Sequence, residues 1–336
     1  MNGRSIKRSL LVIAAVAVAG LLCVPPLAAQ TSGKIVLRFP HIQPATDPVG
    51  QTATDLAELV AKKTNNRVEV KIYPAGQMGG EKEILEGIIL GTFDMSFLST
   101  AIKSSVVPEF GLFDLPFVFR DHEHAYKVMD GPVAAELGEM LVKRRGLRVL
   151  TWWEVGFRDV FSKRGPVRNS NDFKGLKIRS PQAEVFMKTF QALGGVPTPV
   201  PWPEVYNALQ TNIVDAAETS LAYGYSNKWY EVTKYASKTR HIFTAWSLDI
   251  SDRVYRGLPP EVQTALGEAA REATVRHRER TRAYDAQAEA KLKAAGVTVN
   301  EVDQSSLRAL VQPVWEEIGG KVAGGPDMLK RIQDTR

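Results

Sequence analysis

A strand, a helix and a second strand follow one another between residues 35 and 73, and no other pattern constrains the architecture of this chain as strongly. Ile35, Leu37 and Phe39 alternate with Val36 and Arg38, the period of a β-strand. Ala53, Leu56, Ala57 and Val60 then recur at helical spacing, and Lys62-Lys63 suits the negative end of a helix dipole. Val68, Val70 and Ile72 alternate with Glu69 and Lys71 until Pro74 stops the run. Strand, helix and strand in so short a span predict two parallel strands joined by a crossover helix. A second helix follows Gly79-Gly80, carries Ile84, Leu85 and Ile88 and closes at Gly91; residues 94–99 read as a third strand. This half is α/β.

The remainder continues the pattern. Residues 147–153 and 157–163 read as two strands and 176–179 as another, followed by a helix over 184–193. Pro203, its φ preset for a first helical position, opens a helix carrying Val205, Ala208 and Leu209. Residues 215–219 and 241–251 are strand candidates, and one long helix is predicted over 262–294, with Gly296 as its stop. A chain of 336 residues suits two domains of about 150 residues each. With no Gly/Ser-rich linker and no visible internal repeat, the domains are expected to share several crossings.

The N-terminus is read apart from the fold. Arg4, Lys7 and Arg8 precede an uncharged run over 10–24, and Pro25-Pro26-Leu27-Ala28-Ala29 ends it in small residues. That is the form of a secretory signal peptide cleaved after Ala29; the run is short of the ~20 apolar residues of a spanning helix. Cleavage would remove Cys23, the only cysteine, so the exported chain is expected to be stabilised by core burial without disulfides. It would also lower the formal charge from +6 to +3. Acidic and basic residues are interspersed, and no basic stripe suits a nucleic acid.

Motifs for catalysis are missing from the sequence: no Gly-x-Gly-x-x-Gly after a strand, no P-loop, no His-Glu-x-x-His and no Gly-x-Ser-x-Gly. His122 and His124, between Asp121 and Glu123, read as a solvated helix start rather than metal ligands, and neither metal nor cofactor is expected. What stands out is arginine in apolar, strand-like settings. Arg158 follows Gly156-Phe157, and Arg179 ends Leu176-Lys177-Ile178-Arg179. Such an arginine presents either a bidentate fork to a ligand carboxylate or one half of a surface ion pair; both readings stay open at this point.

Several stretches together carry a family likeness. They are 37–41, Tyr73-Pro74-Ala75-Gly76-Gln77-Met78-Gly79-Gly80-Glu81, 91–99, Asp114-Leu115-Pro116-Phe117, Phe173-Lys174-Gly175-Leu176-Lys177-Ile178-Arg179 and 197–215. The most specific is Glu204-Val205-Tyr206-Asn207-Ala208-Leu209-Gln210-Thr211 followed by Val214-Asp215. In order and spacing, from about residue 34 to about 320, the chain resembles the DctP-type substrate-binding proteins of tripartite ATP-independent periplasmic (TRAP) transporters.

The resemblance implies an α/β periplasmic binding protein fold: two discontinuous domains, a central ligand cleft and a long helix spanning both. Residues 30–155 with about 245–282 would form domain I, and 156–244 with about 283–336 domain II. It implies that Arg179 forms a salt bridge to a substrate carboxylate, that Arg158 assists, and that Trp202 packs on the ligand. Glu81, Ser99 and His41 match cleft-facing positions of the first domain. Thr219 stands where many members have a ligand-touching asparagine, in Asp215-Ala216-Ala217-Glu218-Thr219-Ser220. That departure, with the loss of the tryptophan of a Glu-Trp pair, speaks against a metal-bridged site and against a copy of the sialic-acid-type site. Trp152, Trp153, Phe157 and Trp202 would line an aromatic cleft suited to an aromatic or branched monocarboxylate. The implied function is capture of a small organic acid in the periplasm by a monomeric, non-enzymatic receptor. It would deliver the acid to the small and large TRAP membrane subunits. Service to an ATP-driven transporter or a sensor, or turnover of organic acids by an enzyme, are the alternatives.

Overall fold

The first run of elements forms as its pattern demands in the computed structural model, which describes residues 33–336. The expected signal peptide lies outside the described residues. Strand β1 (Ile35–Pro40), helix α1 (Pro48–Lys63), β2 (Val68–Tyr73), α2 (Glu81–Leu90) and β3 (Met95–Ser99) follow in order. The Asp47 side chain caps α1 by accepting from the Gly50 amide at 2.7 Å, and Leu56, Leu59 and Val60 are buried. The short α3 (Thr100–Lys103), then α4 (His122–Met129) and α5 (Pro132–Arg145), lead to β4 (Leu147–Phe157).

The second half repeats the layout: β5 (Asp159–Ser162), β6 (Lys177–Ser180), α6 (Glu184–Ala192), β7 (Val196–Pro199), α7 (Val205–Gln210), β8 (Ala216–Thr219) and α8 (Leu221–Ser226). The chain then runs through β9 (Tyr235–Lys238), β10 (Phe243–Ser251), α9 (Asp252–Gly257), α10 (Pro260–Ala294), β11 (Thr298–Glu301), α11 (Gln304–Lys321) and α12 (Gly325–Asp334). β1 and β2 pair in parallel, β10 lies antiparallel between β3 and β4, and a six-stranded sheet has the order β11-β9-β5-β8-β6-β7.

An internal repeat is present that the sequence hides. In the first half, the Asp94 amide donates to Arg38 O at 3.1 Å, and its carboxylate accepts from the Arg38 amide at 2.7 Å. In the second, the Asp215 amide donates to Lys177 O at 2.8 Å, and its carboxylate accepts from the Lys177 amide at 3.3 Å. Each aspartate ties the start of the third strand (β3, β8) to the first (β1, β6). Each unit ends in a serine, Ser99 or Ser220, that caps the next helix.

The chain crosses between the halves at 157–159 and 239–242, and α10 packs on α1 and β4 of one half and on α8 and β11 of the other. At 35 residues it is about 52 Å long. The strands expected at 147–153 and 157–163 are divided differently: β4 continues to Phe157, because β10 pairs with it from Leu147 to Phe157. Gly156, at φ 92°, turns the chain without ending the strand.

His122 and His124 do begin α4, but the expectation of a solvated start is corrected. His124 is buried, Nδ1 accepting from the Arg120 amide at 3.1 Å and Nε2 reaching Ile332 O at 2.8 Å. His122 meets Glu154 at 3.1 Å. Among the described residues no group of three His, Cys, Asp or Glu is placed to hold a metal, and no helix is long and apolar enough to cross a membrane.

Candidate functional site

The C-terminal ends of the parallel strands in both halves face one cleft, the place where open α/β sheets bind ligands. The space between its walls, open mouth included, is about 610 Å³. Its wall contains Glu81 at the start of α2, Ser99 at the end of β3 and Arg158 between β4 and β5. Arg179 of β6, Trp202 before α7 and Thr219 at the end of β8 complete the set. Six of the seven residues singled out in the sequence therefore line one cavity.

His41 does not line it. Its ring is buried against Phe97, centroids 4.9 Å apart, with both nitrogens lacking hydrogen-bond partners among the described residues. Burial draws its pKa down to about 4, so it is neutral. The neighbouring Ile42 and Gln43 reach the cavity instead. The aromatic lining is also corrected. Trp152 packs on Phe110 and Phe113, Trp153 stacks on His277 and donates to Thr274 at 3.1 Å, and Phe157 lies against His122 and Phe243. These side chains serve the cores on either side of β4, where burying a large ring gains most. Trp202, Trp246 and Phe186 supply the aromatic wall.

The two arginines differ in how fully they are engaged. A guanidinium has five N–H donors. Arg158 commits four: Nε and Nη2 to the Glu218 carboxylate, Nη2 also to Glu218 O at 2.6 Å, and Nη1 to Thr244 Oγ1 at 3.1 Å. Arg179 is 4% exposed, and its Nε donates to Val200 O at 2.9 Å. Its Nη1 is buried with no hydrogen-bond partner among the described residues; the nearest carboxylate oxygen, on Glu218, is 3.8 Å away. Its guanidinium sits 5.6 Å from the centroid of the Trp202 ring, a cation–π contact that fixes its plane. Burial, only partly offset by Glu218 and aggravated by Arg158, brings its pKa down to about 10, so it stays charged at neutral pH.

Sequence reasoning missed Glu218, although it stands beside Thr219 in a segment already singled out. It is fully buried. Burial opposes its ionisation, but the charge of Arg158 overrides this and holds its pKa below the usual carboxylate value. Across the cleft Glu81 accepts from the Ser99 amide at 2.7 Å and Ser99 Oγ at 3.0 Å, and burial pushes its pKa up. Thr219 Oγ1 is buried without a partner among the described residues. Gln43, Gln182 and Thr244 had no signal beyond being polar.

A cleft between two α/β halves, joined by two strand crossings and the long helix α10 and carrying a buried guanidinium with donors to spare, defines a bilobal receptor for a small solute. The profile of bacterial extracellular solute-binding protein family 7, the DctP family, matches residues 39–321. The 2,3-diketo-L-gulonate-binding periplasmic protein YiaO of Escherichia coli K12 is 33% identical over 92% of this chain and 93% of its own length. The C4-dicarboxylate-binding periplasmic protein DctP of Rhodobacter capsulatus is 33% identical over 91% of this chain and 89% of its own. A TRAP periplasmic solute-binding protein of Polaromonas sp. JS666, solved bound to D-erythronate, superposes with a TM-score of 0.87 at 33% identity, over 90% of this chain and 99% of its own. The chain belongs to the DctP family and is a TRAP solute-binding receptor.

Proposed function

We propose that the protein captures a small organic acid in the periplasm, holds its carboxylate on Arg179 and delivers it to the small and large membrane subunits of a TRAP transporter. The observation that carries this reading is the buried Nη1 of Arg179, a charged donor in the cleft wall with no hydrogen-bond partner among the described residues. A guanidinium stays ionised and offers paired donors at carboxylate spacing. In a desolvated cleft such a charge-assisted pair is stronger than at the surface. Arg158 contributes its remaining N–H, Trp202 covers the ligand, and Ser99, Glu81 and Thr219 meet its polar groups. His41 acts from behind the wall. Relatives that bind a diketo sugar acid, a C4-dicarboxylate and an aldonate support the acid class.

The protein acts as a monomer by binding, without turnover, after export through a signal peptide cleaved behind Ala29. Domain I comprises residues 30–155 and about 245–282, domain II 156–244 and about 283–336; the crossings at 157–159 and 239–242 support the limits near 155 and 245, although α12 packs on α5 of the first half. Ligand contacts from both halves would favour the closed state and with it the surface presented to the membrane subunits.

A thermal-shift screen of refolded protein against organic acids tests the reading. Ligand at 100 times its Kd adds about 2.7 kcal/mol of stability, a rise of several degrees at roughly 2–4 °C per kcal/mol. Arg179→Ala is expected to abolish the shift. A ligand-induced shift that survives this substitution would overturn the assignment of the carboxylate to Arg179.

A further inference from the structure

Four ionisable side chains set the electrostatics of the cleft: the buried Arg158, Arg179 and Glu218, and the partly buried Glu81. Glu218 engages Arg158 directly, lies 3.8 Å from Arg179 and 3.5 Å from His241 Nε2. The two guanidiniums in the wall of the second half share this one carboxylate, which leaves an excess of positive charge there, and the donors that express it belong to Arg179. Among the described residues the wall of the first half offers no cation to match it. Glu81 stands there as an acceptor, bonded to Ser99. Behind it the Lys103 ammonium is already matched by Asp249 at 3.5 Å and contacts Ser247. Asp114, bonded to Thr100 at 2.8 Å, is pushed by burial up to about 8 and is uncharged at neutral pH.

We infer that the cleft selects hydroxylated monocarboxylates and rejects dicarboxylates, with Glu81 the specificity-determining residue and Glu218 a positioning residue that withholds the charge of Arg158. This rests on the acid-receptor reading above and narrows it. One carboxylate on Arg179 completes the charge balance of the second half. A second carboxylate would come against Glu81 with no free cation beside it, and an unpaired buried charge is far costlier than a buried hydroxyl that finds an acceptor. Ligand hydroxyls suit this wall: the Glu81 carboxyl accepts from them, and the unpartnered Thr219 Oγ1 can donate or accept. An unsubstituted acyl chain would leave both without a ligand partner, which costs affinity by the same argument.

The test is isothermal titration of the refolded protein with matched acids: 2,3,4-trihydroxybutyrate, butyrate and succinate at four carbons, gluconate and adipate at six. The expected order at each length is the hydroxylated monocarboxylate first, at least 100-fold tighter than the dicarboxylate. Glu81→Gln should narrow that ratio at least tenfold, by admitting the dicarboxylate as well as by weakening the hydroxy acid. Glu218→Gln should narrow it too, while Glu218→Asp, which keeps the charge, should restore it; a merely structural role would lower all affinities and leave the ratio unchanged. Wild-type binding of the dicarboxylate within tenfold of the hydroxy acid, or an unchanged ratio in Glu81→Gln, would overturn the selectivity alone. Should Glu218→Gln fail to fold, the wild-type and Glu81→Gln ratios still decide. Binding of none of the five acids would overturn the acid-receptor reading, and this inference with it.

Discussion

Arg179 shows how a single side chain is prepared for a partner it does not find within the protein. Val200 O orients its Nε, Trp202 covers its face, and Glu218 stands close enough to steady the charge without bonding it. Arg158, by contrast, is closed off by the same glutamate. Sequence context made the two arginines look alike, since each ends or follows an apolar run; the difference arises from contacts 39 and 60 residues away along the chain. Asp114 belongs to the same layer and gives a pH-dependent signature. Its folded pKa, about 8, lies above the unfolded carboxylate value of ~3.9. The stability linked to it is fully present below the unfolded pKa and is lost as pH rises toward 8, because the folded state binds the proton more tightly. Asp114→Asn should flatten that decline. Urea midpoints between pH 6 and 8.5 should fall more steeply for wild type than for the variant; parallel curves would sink the argument.

At the level of elements, amphipathic periodicity was a sufficient guide to α1, α2 and α10, because a helix that buries one face must repeat near 3.6 residues. Strand limits were less legible. β4 runs through Gly156 because β10 pairs with it along its length, a partner more than 80 residues away. Neighbouring elements also fix glycines that look interchangeable in sequence. A Cβ on Gly224 of α8 would come within 2.1 Å of the Phe161 ring on β5. Gly224→Ala, favourable by helix propensity alone, should therefore destabilise the protein by about 1–3 kcal/mol through overpacking. Denaturant unfolding measures this directly, and a stabilised variant would show that α8 can move away from β5.

For the whole molecule, the governing event under the proposed function is closure of the two halves. The turn before α2 meets the segment before α7: a Cβ on Gly76 would lie 2.8 Å from Pro203, and one on Gly80 3.6 Å from Pro201. Gln43 of the first half and Asn227 of the second also meet at 3.4 Å. Gly80 has ordinary backbone angles, φ −79°, and the first atom a Cβ there would meet within its own half is the movable end of the Glu83 side chain, Oε2 at 3.0 Å, so a larger side chain wedges the cleft without straining the backbone of the turn. Gly80→Leu should weaken acid binding about tenfold, or about 1.4 kcal/mol, while the melting temperature without ligand stays within a few degrees. Equal affinity in the two proteins would mean that the lips of the cleft do not meet when ligand is held.

The sequence by itself determined the α/β class, the order of most elements, the long helix and six of the side chains that line the cleft. Those features depend on local periodicity or on short motifs that retain their spacing. The tertiary structure decided the rest. Trp152 and Trp153 were drawn away from the cleft because β4 places them in cores, and His41 was turned behind the wall onto Phe97. The repeat of β1–β3 in β6–β8 became visible only through matched backbone contacts of Asp94 and Asp215. Above all, the charge that a ligand would meet is a sum over Arg158, Arg179, Glu218 and Glu81, residues separated by up to 137 positions in sequence. Coulombic interaction depends on separation in space and on burial, and a linear sequence records neither.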